Sequence, residues 1–93
     1  AAVLSFGIFG SEVEPVSFDI RSEWMNVVID KFGTDLNLYD IDDGFVRVHV
    51  KAPLSPQFFG WLFQLGDNIK LVSPKIAIEE YKEYCIDILK HYE

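Results

Sequence analysis

Apolar and polar residues alternate in four stretches of the chain, a pattern typical of strands with one buried face. In the clearest stretch three valines alternate with Arg47, His49 and Lys51. Successive side chains of a strand point to opposite faces, so these three basic side chains are predicted to share one face of a sheet. The four predicted strands span residues 16–21, 36–41, 45–51 and 69–72.

Between the strands, apolar residues recur every three or four positions, which predicts helices. The first helix is predicted to begin at Ser22, an N-cap residue, and to end at Gly33. The second has stronger boundaries: Ser55 is its predicted N-cap, Pro56 fits its first turn, and Gly66 favours the left-handed conformation that ends a helix. The apolar face of the first helix comprises Trp24, Val27, Val28 and Phe32.

A third, longer helix is predicted over residues 74–92, and Ser73 and Pro74 are expected to open it as Ser55 and Pro56 open the second. Since its apolar positions form a single stripe, one face of this helix is expected to pack on the rest of the chain. That stripe comprises Ile78, Tyr81, Cys85, Ile88, Leu89 and Tyr92.

The order of these elements predicts an α+β fold of the ferredoxin-like type, a βαββαβ sandwich followed by a C-terminal helix. Residues 42–44, Asp-Asp-Gly, are predicted to form a hairpin turn between the second and third strands. Right-handed crossovers then place the first two helices on one face of a four-stranded antiparallel sheet. Residues 15–93 form the predicted domain, and residues 1–14 a lead-in from an upstream domain.

Composition narrows the class of protein. Ninety-three residues that are 49% hydrophobic are enough for one domain with a core. The net charge of -7 disfavours a domain that clamps nucleic acid over its whole surface. The single cysteine, Cys85, is expected in the core, and its lack of a partner suits the cytoplasm. No apolar run is long enough for a membrane helix, so no membrane association is expected.

Several short motifs, taken in order, resemble one family over nearly the whole chain. The motifs are Ser5-Phe6-Gly7-Ile8, Asp43-Gly44, Trp61-Leu62, Gly66, Leu71-Val72-Ser73-Pro74 and Tyr92. With the predicted order of elements, they resemble the C-terminal extension, or WCX domain, of the bacterial WYL-domain transcription regulators.

The resemblance implies a non-enzymatic module of a larger regulator, in which a winged helix-turn-helix and a WYL domain precede this one. The missing N-terminal domain would bind DNA. This module would mediate dimerisation or contacts between domains and take part in sensing an effector, for which a nucleotide or single-stranded nucleic acid is a candidate. The alternative is a free-standing ferredoxin-like domain that binds a small anionic ligand.

One face of the predicted sheet is a candidate anion-binding surface. The strand pattern gathers basic side chains there with a single carboxylate, Asp19, on a chain that is otherwise acidic. Such a surface favours a phosphate-bearing ligand or an acidic partner, whereas the alternative is an ordinary solvated strand face. Only Tyr39 is placed to stack on a base, which disfavours a typical RNA-binding sheet. The candidate residues are Arg21, Tyr39, Arg47, His49, Lys51 and Lys70.

A candidate interface rests on excess apolar residues. The second helix carries large apolar side chains on more than one face, so part of it is expected to contact another domain or a second copy of the chain, or else the long C-terminal helix. The apolar lead-in has the same ambiguity. The candidate interface residues are Phe6, Ile8, Phe59, Trp61 and Phe63.

No catalytic residues, metal site or cofactor are predicted. Neither His49 nor His91 has a nucleophile nearby in the sequence, and the aspartates of residues 40–43 lack the later ligands of a calcium loop. Acylphosphatases share the predicted topology and use an arginine near the position of Arg21. The glycine-rich phosphate cradle expected after it is missing, because Ser22 and Glu23 stand there.

Overall fold

The predicted strands pair into one antiparallel sheet. The computed structural model describes residues 12–93 of the chain. Its strands, in the spatial order β2-β3-β1-β4, are β1 (Val13–Arg21), β2 (Asn37–Asp40), β3 (Phe45–Pro53) and β4 (Ile69–Ser73). The helices are α1 (Met25–Phe32), α2 (Pro56–Gln64) and α3 (Lys75–Leu89). The α+β fold class is confirmed, with the element order of a ferredoxin-like fold and an additional C-terminal helix.

The core forms where α1 and α2 cover the apolar face of the sheet. At its centre lies Phe18 of β1, which is fully buried. Its ring centroid lies 6.2 Å from that of Phe32 on α1 and 5.7 Å from that of Trp61 on α2, and Phe32 and Trp61 lie 5.5 Å apart in an edge-on arrangement. One aromatic cluster therefore joins both helices to the central strand, which fixes which face of the sheet the helices cover.

The predicted boundaries of α2 are confirmed, whereas the predicted start of α1 is wrong. The hydroxyl of Ser55 accepts a hydrogen bond from the backbone N–H of Phe58 at 3.3 Å, and Gly66 has a φ of 61°. Ser22 makes no side-chain cap; it begins a 3₁₀ turn, and α1 starts only at Met25. Trp24 lies in that turn and is exposed, because the turn carries it away from the inner face of α1.

The start of α3 also differs from its prediction. The hydroxyl of Ser73 is hydrogen-bonded to the hydroxyl of Ser17 on β1, and α3 begins at Lys75 without a side-chain cap. The Ser73–Pro74 peptide bond is cis. The tertiary contact with Ser17 has replaced the local cap that the sequence predicted.

Only the first half of the α3 stripe is covered by the rest of the domain. Tyr81 and Tyr84 pack on Phe59 of α2, with ring centroids 5.5 and 5.8 Å apart. Cys85, predicted in the core, is only half-buried. Beyond it the apolar side chains are exposed: Ile88 by 45%, Leu89 by 57% and Tyr92 by 82%.

The sheet is longer at one end than its sequence pattern predicts. Val13 pairs with Pro53, so β1 begins inside the range 1–14 that was assigned to a lead-in. At the opposite end, the predicted hairpin turn joins β2 to β3 through a short 3₁₀ turn. Asp43 has a φ of 62° and Gly44 a φ of 77°, which suits the residue types that most readily adopt the left-handed region.

Candidate functional site

The face of the sheet opposite the core gathers all six predicted anion-binding residues. We call it the polar face. It comprises Asp19 and Arg21 on β1, Tyr39 on β2, Arg47, His49 and Lys51 on β3, and Lys70 on β4. The alternation of β1 and β3 decides this placement, because Phe18, Val48 and their neighbours point into the core. The predicted placement is therefore found, while a role in binding stays a prediction.

One row of side chains crosses all four strands of the polar face. Tyr39 pairs with Arg47, Arg47 with Asp19, and Asp19 with Lys70 in the strand registers. Neighbouring strands lie about 4.8 Å apart, so this row spans roughly 14 Å. In this row the carboxylate of Asp19 has one basic group on each side, Arg47 and Lys70, and the ring of Tyr39 lies at the end on β2.

An ion pair forms the centre of this row. Arg47 donates from Nε to Oδ1 of Asp19 at 2.7 Å and from Nη2 to Oδ2 at 2.9 Å. This fork-on-fork geometry fixes both side chains, and the Asp19 side chain is only 13% exposed. The hydrogen bonding to Asp19 raises the pKa of Arg47 above its ordinary value. Because the carboxylate of Asp19 neutralises the charge of Arg47, the pair adds no net charge to the polar face. Its role there is to hold the two side chains in fixed positions.

The aromatic part of the polar face is a contact between Tyr39 and His49. The Tyr39 hydroxyl and His49 Nε2 lie 2.9 Å apart and share a hydrogen bond. The two ring centroids are 5.4 Å apart with an interplanar angle of 32°, and both side chains are exposed. Since each side chain holds the other in place, the two rings form a prearranged aromatic platform on this face.

The remaining cations surround this platform and the ion pair. The guanidinium carbon of Arg21 lies 4.8 Å from the ring centroid of Phe45, a cation–π contact that positions the charge. Lys51 and Lys70 are exposed and form no ion pair within residues 12–93. Among the described strand residues of this face Asp19 is the one carboxylate, so three cations stay uncompensated there.

The predicted interface residues separate into three groups. Phe59 and Trp61 are buried in the core of their own chain, by α3 and by the aromatic cluster, so they offer no surface to a partner. Phe63 lies on the outer side of α2 and is 66% exposed. Phe6 and Ile8 lie outside the described residues. The interface prediction is thereby reduced, in the described part of the chain, to Phe63.

Two features of the polar face were missed by the sequence reasoning. The first is Phe45, whose ring contacts Arg21. It lies two residues before Arg47 on β3, so the alternation of the strand places both side chains on the same face and could have identified it. The hydrogen bond between Ser17 and Ser73 had no local signal, because these residues are distant in the chain and meet only through the pairing of β1 with β4.

No protein-family model and no curated protein matches the chain. The resemblance to the WCX domain accordingly stays a prediction.

Within residues 12–93 no cluster of three or more histidine, cysteine or acidic side chains is placed to hold a metal ion. None of the helices in that range has the length and apolar character that crossing a membrane requires.

Proposed function

We propose that the chain is a non-enzymatic regulatory module of a bacterial DNA-binding transcription regulator, and that its polar face binds an anionic effector. The ferredoxin-like order of elements and the motifs shared with the WCX domain support the first part. DNA would then be bound by a domain of the full-length regulator that this chain does not contain. The single cysteine suits action in the cytoplasm.

The observation that carries the effector proposal is the local reversal of charge on the polar face. The chain has a net charge of -7, yet Arg21, Lys51 and Lys70 remain uncompensated on this one face. A local excess of cations attracts an anion against the overall field of the molecule, and its exposed ammonium groups suit phosphate oxygens. An ordinary solvated face on so acidic a chain would carry more carboxylates.

The geometry favours an effector that combines a planar ring with phosphate. The Tyr39–His49 platform offers an aromatic surface on which a base stacks. Lys51 lies two residues from His49 on β3, about 7 Å along the strand. A nucleotide whose base covers the platform can therefore direct its phosphate toward Lys51. A short single-stranded nucleic acid can extend from the platform across the sheet instead, along the row that begins at Tyr39 and ends at Lys70.

Nuclear magnetic resonance titration tests this assignment with three probes: a nucleoside monophosphate, the same nucleoside without phosphate, and inorganic phosphate. We expect shifts at Tyr39, His49 and Lys51 that are largest with the monophosphate and that added salt reverses. Lys51→Gln should weaken binding, whereas Lys82→Gln, which removes an exposed lysine of α3, should not. No shift on this face with any of the probes would refute the effector assignment.

Pairing of domains or chains is the second part of the proposed role, and Phe63 supports it. A phenylalanine that is 66% exposed beside the small Gly60 is an apolar contact available to a neighbour. Sedimentation of the chain should show a homodimer that Phe63→Asp weakens and that Gln64→Asp, on the same helix, leaves intact. If the chain stays monomeric at every concentration, this domain does not form the dimer, and the pairing part of the proposal is refuted for it.

A further inference from the structure

His49 is the one histidine among the described strand residues of the polar face. Histidine is the residue type whose charge changes between about pH 5 and 8. The ring of His49 is exposed and forms half of the platform on which the base of a nucleotide is proposed to stack. A change in the charge of this ring therefore takes place where the ligand makes contact.

The charged neighbours of His49 on its own strand are cations. Arg47 and Lys51 lie two residues before and after it on β3, so both share its face. Asp19, the one carboxylate among the described strand residues of this face, is held through both of its oxygens by Arg47. A protonated His49 is therefore left without a carboxylate to pair with among these strand residues.

The residues opposite His49 on the adjacent strands are uncharged. Asn37 on β2 and Ser17 on β1 lie directly across from it in the strand registers. The hydroxyl of Ser17 is hydrogen-bonded to that of Ser73, and Ser17 is only 3% exposed. On β2 the Tyr39 hydroxyl also contacts the ring, 2.9 Å from Nε2 of His49. An anionic ligand accordingly supplies the partner that a positive charge on His49 lacks.

Protonation of His49 reverses its hydrogen bond with Tyr39. The Tyr39 hydroxyl is one of the groups, after Asp19, that raise the pKa of Arg47, and a guanidinium can only donate. The hydroxyl oxygen therefore faces Arg47 as an acceptor, and its proton is directed to Nε2 of the neutral His49. Because an imidazolium donates from both nitrogens, protonated Nε2 becomes the donor, and the Tyr39 hydroxyl is released to donate to a ligand.

A lower pH thus adds two attractions for an anion at the same place. The ring of His49 gains a positive charge, and the Tyr39 hydroxyl turns from a donor toward His49 into a donor toward the ligand. A unit charge about 4 Å from a phosphate changes its affinity by roughly fivefold in water. Since binding and protonation are linked, the bound anion in turn favours the protonated ring.

We propose that the Tyr39–His49 pair is a proton-controlled switch of the effector site, so that the anionic effector binds more tightly as the pH falls from about 7.5 to about 5.5. This role rests on the proposed function, because it concerns the affinity of the same site. His49 acts through its charge, and Tyr39 through the direction in which its hydroxyl donates.

Calorimetric titration of the 93-residue chain with a nucleoside monophosphate at about pH 5.5 and about pH 7.5 tests the switch. The phosphate of the probe itself titrates near pH 6, so each variant is compared with the wild-type chain at the same pH. His49→Phe keeps an aromatic ring without a titratable group. The ratio of its dissociation constant to that of the wild-type chain should be about fivefold larger at the lower pH. His91→Phe, at the other histidine of the chain, should bind like the wild-type chain at both pH values.

Each part of the switch has an outcome that would overturn it. If the ratio for His49→Phe is the same at both pH values, the switch is refuted, while binding of the probe leaves the proposed function in place. Tyr39→Phe should show the trend of His49→Phe with a smaller magnitude, and a constant ratio for it would refute the reversal of the hydrogen bond. If the wild-type chain fails to bind the probe at either pH, the proposed effector site is refuted and the switch is refuted with it.

Discussion

Two phenylalanines of α2 give a direct test of how this helix is oriented. Phe58 is fully buried, with its ring centroid 6.0 Å from that of Phe59 and 6.4 Å from that of Trp61, whereas Phe63 is 66% exposed. Both are phenylalanines in one nine-residue helix. Replacing each by alanine therefore removes the same atoms and changes the helix propensity by the same amount. The difference in stability between the two variants then reports the difference in burial of the two rings.

The magnitudes follow from the buried areas. A buried aromatic side chain covers about 150–250 Å², which at 25 cal/mol/Å² predicts a loss near the 3–5 kcal/mol typical of Phe→Ala in a core. Phe63 buries about a third of such an area, worth roughly 1–2 kcal/mol. Alanine regains about 0.5 kcal/mol of helix propensity at each position. Phe58→Ala should thus cost at least about three times as much as Phe63→Ala.

Urea unfolding followed by tryptophan fluorescence measures both losses, since Trp61 lies in the cluster that opens. A domain of this size has about 5–14 kcal/mol of stability, so Phe58→Ala can fall near the limit of a measurable folded baseline. Phe58→Leu compared with Phe63→Leu then gives the same ranking with smaller losses. Equal losses in a pair, or a larger loss at Phe63, would refute the orientation of α2.

Three further predictions concern single side chains. Ser55→Ala should lower the free energy of unfolding by about 1 kcal/mol in urea titrations, because it removes the N-cap of α2, while Ser22→Ala should change it little; equal effects would contradict the observed caps. Arg47→Met should lower the melting temperature more than Lys51→Met does, since it leaves the largely buried carboxylate of Asp19 unpaired; a larger effect at Lys51 would exclude a structural role for the pair. Burial raises the pKa of Tyr81 from 10.0 to about 12, with a further contribution from Cys85. The unfolded chain therefore releases this proton first, and stability should fall as the pH rises from 10 to 12. The fall should be about 1 kcal/mol, less than the roughly 2.7 kcal/mol that two pKa units carry, because the ring is partly solvated. Tyr81→Phe should abolish this part of the fall, and an unchanged profile in that variant would contradict it.

Local signals in the sequence were enough for the fold class and for the placement of the candidate site. Alternation in β1 and β3 assigns each side chain to a face, so Arg47, His49 and Lys51 were placed together before any contact was known. The cap at Ser55 and the left-handed Gly66 also depend only on neighbouring residues, and both were predicted correctly. Predictions of this kind agree with the folded structure because no distant residue competes for the groups involved.

Contacts between residues far apart in the chain could be established only from the folded molecule. Ser73 had the pattern of a helix cap but bonds to Ser17, because the pairing of β4 with β1 brings a second hydroxyl within reach. The ion pair between Arg47 and Asp19 depends on the register that sets these residues opposite each other on β3 and β1. The burial of Phe59 and Trp61 likewise required the packing of α2 against other elements. The period of each element and the face to which each side chain points follow from the order of residues alone, because they are local properties of the backbone. The hydrogen-bond and ion-pair partners of a side chain, and its burial, depend on which elements pack together in the folded chain.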